Sequence, residues 1–282
     1  MFEKYTEEFN RYLVDEISFY PSISNTLFES MNYSVLAGGK RFRPILMILI
    51  ANAINLDYKK IFDSGIAIEF IHTFSLIHDD LPCMDDDDLR RGKPTNHIVF
   101  GEDLALLAGD GLNTYAFRFL MKTIKDNNLS IDIANIFIDS IMRMIEGQVL
   151  DMSDDDKDID YLKRIHEHKT GALIEFSILA PLYINGSNEN LIDKMRKFAY
   201  HLGLSFQIKD DILDYESDSI TLGKSASDFV NNKTTYVTLL GIDKAKEYLK
   251  ENIDQCLCIL EENQLDTKEL VYLCDYSMNR EK

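Results

Sequence analysis

FIHTFSLIHDDLPCMDDDDLRRGKPTNH, residues 70–97, is the stretch around which the rest of the chain is organised. An apolar run compatible with a helix ends at Asp79 and Asp80, and four more aspartates follow at positions 85–88. Carboxylates this close raise one another's pKa values unless a cation lies between them. Oxygen-rich clusters that leave room for water and phosphate suit Mg²⁺. The stretch therefore indicates a metal site.

Two arginines follow the acidic run directly. Arg90 and Arg91 can each bind a phosphate through paired hydrogen bonds. Together with the carboxylates they indicate a metal-bridged diphosphate. The alternative is a solvated acidic loop followed by a basic turn, since runs of charge are usually wet surface.

Composition excludes several classes of partner. The chain has 282 residues, a mass of 32.5 kDa and a formal charge of −18. That charge argues against nucleic acid or an anionic membrane surface as partner. The four cysteines show no zinc spacing, and no run of 18 apolar residues occurs, so we expect reduced thiols, no membrane insertion and a cytoplasmic protein.

Apolar residues recur every three to four positions along almost the whole chain, and no segment alternates like a strand. We therefore predict an all-α fold, a single domain over residues 1–282 built as a bundle of about ten helices. The predicted helices cover residues 3–19, 26–36, 44–55, 59–81, 102–127, 130–151, 159–184, 188–216, 233–262 and 266–278.

Further polar groups recur along this scaffold. The turn GGKRFRP, residues 38–44, places cations at a helix start, where backbone N–H groups favour an anion. His72 lies about two helical turns before Asp79 on nearly the same face. Lys169 and Thr170 interrupt an apolar helix, and a buried lysine needs a counter-charge. Gln148 and Asp151 lie upstream in GQVLD.

A second acidic motif makes the surface interpretation much weaker. In FQIKDDILD, Asp210 and Asp214 lie four residues apart, on one helical face with Gln207 one turn earlier. If the two acidic helices face each other, their carboxylates can clamp one diphosphate through Mg²⁺. A diphosphate neutralised in this way is a good leaving group, which predicts ionisation of an activated carbon chain. No P-loop or dinucleotide fingerprint favours another reaction.

The motifs GGKRFRP, DDLPCMDDDDLRRGKPTNH, GQVLD, HKTGAL, FQIKDDILD and LGK, in this order, resemble those of the trans-isoprenyl diphosphate synthases. The resemblance covers nearly the whole chain. It implies a helical fold around a central cavity, a homodimer, three Mg²⁺ ions per active site, and isopentenyl and allylic diphosphates as substrates. The insertion of Pro82 and Cys83 in the first motif is similar to bacterial farnesyl and plant-type geranylgeranyl diphosphate synthases.

The resemblance also implies a role for each matching residue. The metal ligands would be Asp79, Asp80, Asp85, Asp210, Asp211 and Asp214. The allylic diphosphate would be bound by Arg90, Lys169, Gln207, Lys224 and Lys233, and isopentenyl diphosphate by Lys40, Arg43, His72 and Arg91. Catalytic roles would fall to Lys169, Thr170, Arg90 and Lys224.

Product length is expected to depend on Phe74 and Ser75, upstream of the first aspartate pair. Phe74 lies five residues before Asp79, about 7.5 Å along a helix. An aromatic residue there resembles the farnesyl-forming enzymes, so we predict farnesyl diphosphate (C15), with geranylgeranyl diphosphate as the alternative. The loop from Lys224 to Lys233 is shorter than is usual in the family and lacks its glycine. The basic tail with Arg280 is expected over the isopentenyl site.

Three other classes of protein are alternatives to a prenyl diphosphate synthase. A terpene cyclase would share the first acidic motif, but it would lack the isopentenyl site that GGKRFRP and His72 predict. A non-catalytic subunit of another prenyl synthase would be expected to lose its acidic motifs, and this chain keeps both. A calcium-binding acidic protein would need an EF-hand loop, which the sequence does not contain.

Overall fold

Helices account for nearly all of the regular structure in the computed structural model, which describes residues 2–18, 24–127, 129, 131–153, 158–222, 234–265 and 267–280. The predicted all-α fold is confirmed. The chain forms two compact units, Met1–Ala134 and Asn135–Lys282. The single domain over residues 1–282 stays a prediction. No helix in the described part of the chain is long and apolar enough to cross a membrane.

The first unit is built around two nearly fully buried helices. Its helices are α1 (Glu3–Ser18), α2 (Asn25–Val35), α3 (Phe42–Ala53), a 3₁₀ turn (Tyr58–Ile61), α4 (Phe62–Asp79), α5 (Asn96–Phe100) and α6 (Glu102–Asn127). Helix α3 is apolar on every side, and its residues 44–51 are all buried, as expected for a central helix. Helix α4 packs mainly against α6.

A short hairpin, which the sequence did not predict, follows α4. Strand β1 (Leu89–Arg90) pairs with antiparallel β2 (Lys93–Pro94), with Arg90 opposite Lys93. The turn between them uses Arg91 and Gly92, whose φ angles are 55° and 74°. Two residues per strand are too few to show alternation, so the sequence carried no signal for this element.

The second unit is built around α10. Its elements are α7 (Asp132–Asp151, which begins in the first unit), α8 (Ile159–His166), a π-helical turn (Glu167–Gly171), α9 (Ala172–Ile184), α10 (Glu189–Leu222), α11 (Tyr236–Leu240), α12 (Ile242–Glu262) and α13 (Lys268–Asn279). Helix α10 packs against α12 and against the buried, uniformly apolar α9.

Two predicted helices of this unit needed correction. The helix predicted over residues 159–184 contains the π-helical turn at Glu167–Gly171. The helix predicted over residues 233–262 is two helices, because Gly241 has a φ of 82° and ends α11. A positive φ of this size breaks the helical hydrogen-bond pattern, and glycine adopts it without steric cost.

Candidate functional site

The first aspartate motif (Asp79, Asp80 and Asp85) forms where α4 ends. Asp79 is the last residue of α4 and Asp80 is its C-cap. The chain then turns back on the helix end, since the N–H of Asp85 donates to the carbonyl of Asp79 at 2.8 Å. Asp80 is 4% exposed, whereas the Asp85 side chain is exposed. The backbone therefore holds these three predicted metal ligands at one helix end.

Arg90 is the counter-ion of this motif. The β1–β2 hairpin directs it back to α4, where its Nε donates to Asp80 Oδ1 at 2.9 Å, and its Nη2 also contacts Asp80 and donates to Asp87 Oδ2 at 3.0 Å. Burial raises the pKa of Asp80, and Arg90 only partly offsets it. Burial lowers the pKa of Arg90, but the hydrogen bond and the charge of Asp80 raise it. The net effect is a raised pKa of Arg90. Asp87 had not been singled out by the sequence.

The carboxylates suit Mg²⁺ even though they do not form a closed cage. Among the described residues, no three His, Cys, Asp or Glu side chains converge as a complete metal site. Magnesium keeps several waters and is usually held by one or two carboxylates together with substrate phosphates. The half-exposed Asp79 and the exposed Asp85 leave room for that arrangement. The donor set therefore fits the predicted ion.

A cationic cluster of Arg43, His72 and Arg91 lies in the same unit. Arg43 Nε is buried and has no hydrogen-bond partner among the described residues. Burial lowers the pKa of Arg43 to about 10, with Glu69 opposing and Arg91 adding to the effect. Burial also lowers the pKa of His72 well below its usual range, and Arg43 and Arg91 add to it. His72 is therefore neutral at pH 7.

Arg91 lies against the glycine turn that precedes α3. Arg91 Nη1 donates to the carbonyl of Gly38. A Cβ at Gly39 would lie 2.5 Å from Arg91 Nη1, and Gly39 has a φ of 121°, so this position requires glycine. Lys40 in this turn is exposed. Arg91, which follows the acidic run, therefore contacts the turn that is predicted to bind an anion.

Arg41, the remaining cation of this turn, has a structural role. Its Nη1 donates to Glu69 Oε1 at 2.6 Å, and both side chains are 3% exposed. Its other donors contact Asn10 Oδ1 and the carbonyl of Val35. A buried and fully paired guanidinium is not available to a ligand.

A cleft of about 30 Å³ runs beside α4 and joins several of these groups. It is lined by Asp80, Arg90 and Arg91, and by Thr73, Leu76 and Ile77 of α4. Phe74 is not among its lining residues. Phe74 is 8% exposed and packs edge-on against His78, with ring centroids 5.0 Å apart. Ser75 Oγ donates to the His72 carbonyl.

The second unit gathers GQVLD, HKTGAL and FQIKDDILD. Lys169 Nζ donates to Asp151 Oδ2 at 2.7 Å, so a carboxylate supplies the counter-charge for which the sequence suggested a phosphate. Thr170 Oγ1 donates to Gln207 Oε1 at 3.4 Å. A Cβ at Gly147 would lie 2.2 Å from the backbone nitrogen of Lys169, so glycine lets α7 approach the π-helical turn.

The second aspartate motif (Asp210, Asp211 and Asp214) lies on α10. Asp211 is 7% exposed and accepts the N–H of Tyr236 at 2.8 Å. Tyr236 is the first residue of α11, so Asp211 holds that helix start in addition to its predicted role. Asp210 is half exposed and Asp214 is exposed.

Arg280 reaches Asp210, and sequence reasoning missed this contact. The two residues lie seventy positions apart, and no spacing links them. Arg280 Nη2 donates to Asp210 Oδ1 at 2.6 Å, so the described part of the C-terminal tail contacts the second aspartate motif. The expected position of the tail over the isopentenyl site stays a prediction. Lys224 and Lys233 lie outside the described residues.

Comparison with known proteins identifies the family. The chain is 44% identical to farnesyl diphosphate synthase of Geobacillus stearothermophilus over 88% of its length and 86% of that protein. It is 46% identical to a chloroplastic geranylgeranyl pyrophosphate synthase of Catharanthus roseus, over 80% of this chain and 65% of the other. The crystal structure of an FPP/GFPP synthase from Zymomonas mobilis superposes with a TM-score of 0.84 at 32% identity, covering 98% and 96% of the chains. The polyprenyl synthetase family profile matches residues 24–274, and the chain belongs to that family.

Proposed function

We propose that the protein is a farnesyl diphosphate synthase, which condenses isopentenyl diphosphate with dimethylallyl and then geranyl diphosphate. The observation that carries the proposal is the cationic cluster, where Arg43 presents a buried Nε without a partner among the described residues. A buried guanidinium without its own full set of acceptors favours an anion. The same unit holds the first aspartate motif and Arg90, which supports a metal–diphosphate site there.

The metal ligands of the proposed enzyme come from both aspartate motifs. Asp79, Asp80 and Asp85 would hold two Mg²⁺ ions, and the second motif, through Asp210 with Asp211 and Asp214 in support, a third. Bound Mg²⁺ would neutralise the allylic diphosphate and make it a better leaving group. Arg90 already pairs with Asp80, and it would also contact a phosphate oxygen.

The two substrate diphosphates are bound by separate sets of side chains. Lys40, Arg43, His72 and Arg91 bind isopentenyl diphosphate, and His72 does so by donating a hydrogen bond. The allylic diphosphate is bound by Arg90, Lys169, Gln207, Lys224 and Lys233. Lys169 exchanges its contact with Asp151 for a phosphate oxygen as the substrate binds.

The reaction itself depends on charge stabilisation. The Thr170 hydroxyl or the Lys169 carbonyl faces the developing allylic cation, where fixed dipoles lower the barrier. The isopentenyl double bond attacks that cation, and the released diphosphate accepts the proton. This accounts for the absence of an assigned protein base.

The proposed product is C15, with Phe74 as the floor of the space for the hydrocarbon tail. The relatives in Geobacillus stearothermophilus and Bacillus subtilis, both described as farnesyl diphosphate synthases, support this length. Geranylgeranyl relatives at similar identity make C20 the second candidate.

A homodimer is proposed from an exposed apolar stripe on α7. Ile138, Met142, Ile145 and Val149 are 44%, 50%, 39% and 64% exposed and follow one another at spacings of four, three and four residues. Such a stripe faces one side of a helix and is suited to packing against a second copy.

All four cysteines are free, which supports a reducing, cytoplasmic compartment.

The experiment that tests the proposal follows incorporation of labelled isopentenyl diphosphate into an acid-labile, organic-extractable product. We expect incorporation that requires both an allylic diphosphate and Mg²⁺. Lys169→Met should lower kcat strongly, whereas Lys163→Met should leave it unchanged, because Lys163 contacts exposed Asp160 and the Tyr248 ring and has no predicted part in the site.

Three results would contradict the proposal. A product formed from farnesyl diphosphate alone would identify a cyclase. A folded, Mg²⁺-supplied protein that forms no product, but changes the product of a second synthase, would identify a regulatory subunit. Incorporation that persists in excess EDTA would exclude a role for the aspartate motifs in metal binding.

A further inference from the structure

Arg280 is a buried arginine at the C-terminal end of α13 that contacts one turn of α10. Its Nη2 donates to Asp210 Oδ1 at 2.6 Å and to the carbonyl of Phe206 at 2.9 Å. Its guanidinium carbon lies 4.0 Å from the centroid of the Phe206 ring. Phe206 and Asp210 are four residues apart and therefore lie on one helical face. One side chain thus ties the end of α13 to the turn of α10 where the second aspartate motif begins.

Burial makes this contact obligatory for the arginine. The side chain of Arg280 is 6% exposed, and that of Asp210 is 38% exposed. A buried guanidinium is costly without a counter-ion, so Asp210 neutralises Arg280 while its outer edge still faces solvent. The rest of α13 fixes the arginine in place, since Thr267 caps the helix start and Leu270, Leu273 and Ser277 are buried.

We infer that Arg280 pairs with the Asp210 carboxylate before a metal ion arrives and competes with the metal ion for that carboxylate. A metal ion bound at this motif then has to share Asp210 with the guanidinium. The inference rests on the proposed function, because that proposal assigns Mg²⁺ to Asp210. The sequence-based role of the tail, over the isopentenyl site, is a different one.

Two effects of Arg280 on metal binding oppose each other. Holding the carboxylate in one rotamer favours a metal ion, because less side-chain freedom is lost on binding. Pairing a guanidinium with the same carboxylate disfavours a metal ion, because the singly charged arginine and the doubly charged metal ion then lie within a few ångströms of each other. At that separation, repulsion outweighs the entropy of one short side chain even in a strongly screening environment. Arg280 therefore weakens metal binding at this motif.

The contact between Arg280 and Asp210 also links metal binding to substrate binding. Metal binding at the second aspartate motif becomes more favourable once a diphosphate adds negative charge, because that charge offsets the repulsion. Metal binding and diphosphate binding thus become coupled, and by linkage the metal also weakens the contact between Arg280 and Asp210.

The test is a Mn²⁺ titration of the full chain without substrate, followed by electron paramagnetic resonance. Arg280→Gln removes the charge but retains a donor for the Phe206 carbonyl, and we expect it to bind Mn²⁺ about tenfold more tightly than wild type. Arg280→Lys keeps the charge and should stay close to wild type. Lys268→Gln removes the same charge from the exposed first turn of α13 and should have no effect.

A double-mutant cycle locates the effect. In an Asp210→Asn background, Arg280→Gln should no longer change Mn²⁺ affinity. Equal or weaker Mn²⁺ binding by Arg280→Gln, or an increase that persists without Asp210, would overturn the inference.

Hydrogen exchange on the wild type covers the case in which Arg280→Gln does not fold. Mn²⁺ should accelerate exchange of the Arg280 amide, which donates to the Tyr276 carbonyl, and unchanged or slower exchange would overturn the inference. If wild type forms product with Mg²⁺ but these measurements fail, only the role of Arg280 is wrong. If wild type neither binds Mn²⁺ nor forms product, the proposed function fails with it.

Discussion

Truncation of Phe74 should lengthen the product by one prenyl unit. Phe74 and Phe70 lie on one face of α4, about 6 Å apart along its axis. One prenyl unit adds four chain bonds and extends the tail by roughly 5 Å. If Phe74 is the floor, its removal lets the tail reach Phe70, which is 2% exposed and packs edge-on against Phe119 at 5.4 Å. Phe74→Ala should therefore give C20, and Phe70→Ala/Phe74→Ala a longer product still.

The assay for this prediction is mass spectrometry of products formed from geranyl diphosphate, isopentenyl diphosphate and Mg²⁺. Phe70→Ala alone is the matched control, because both truncations cost about 3 kcal/mol of folding free energy or more, yet Phe70 lies beyond the proposed floor. Its product should stay C15. A C15 product from Phe74→Ala, or a C20 product from Phe70→Ala alone, would refute the assignment of Phe74.

Three further substitutions test the site and its support. Arg43→Met should raise KM for isopentenyl diphosphate about tenfold or more, because it removes a charge-assisted hydrogen bond from a buried anion site; an equal rise in KM for geranyl diphosphate would contradict the separation of the two sites. Glu69→Gln should lower the free energy of unfolding in urea by about 3 kcal/mol, because it leaves Arg41 buried without a counter-ion. Its control, Glu16→Gln, breaks the half-exposed pair with Lys122 and should cost less than about 1 kcal/mol; equal costs would refute the role of burial. The lowered pKa of His72 means that the folded state resists protonation, so stability is present above the unfolded pKa and is lost as pH falls below it. His72→Asn should lose less stability than wild type between pH 7 and pH 5 in urea titrations, and parallel curves would contradict the burial of a neutral imidazole.

The dimer proposal has its own test in the exposed stripe of α7. Met142→Glu places a charge at the centre of the stripe and should convert a dimer into a monomer in light-scattering measurements. The control is Asp139→Lys, a charge change at an exposed polar position of the same helix. A mass that is unchanged by Met142→Glu, or that is monomeric in wild type, would remove this face as the interface.

Most helices could be predicted from the sequence because their apolar residues repeat at helical spacing. The predicted helix 102–127 coincides with α6 (Glu102–Asn127), where acidic residues open the first turn. The π-helical turn could not be predicted from the local spacing of apolar residues, and it lies where α7 at Gly147 approaches the backbone of Lys169. Likewise, a two-residue strand has too little length to show a period.

The site residues could be named, but their counter-ions could not. Local spacing shows that Asp210 and Asp214 share a face, whereas the pairs of Asp210 with Arg280 and of Lys169 with Asp151 depend on how helices pack. The sequence suggested a phosphate as the counter-charge for the lysine of HKTG. In the structure Asp151 of the protein itself supplies a negative charge.

The most direct measurement of the central claim is the chain length formed by the purified protein. It is incubated with isopentenyl diphosphate, geranyl diphosphate and Mg²⁺, and the products are read by mass spectrometry. The account predicts farnesyl diphosphate as the end product, with no product after chelation of the metal. A C20 end product would keep the reaction but contradict the C15 assignment, and no product from a folded, Mg²⁺-supplied protein would contradict the proposed function.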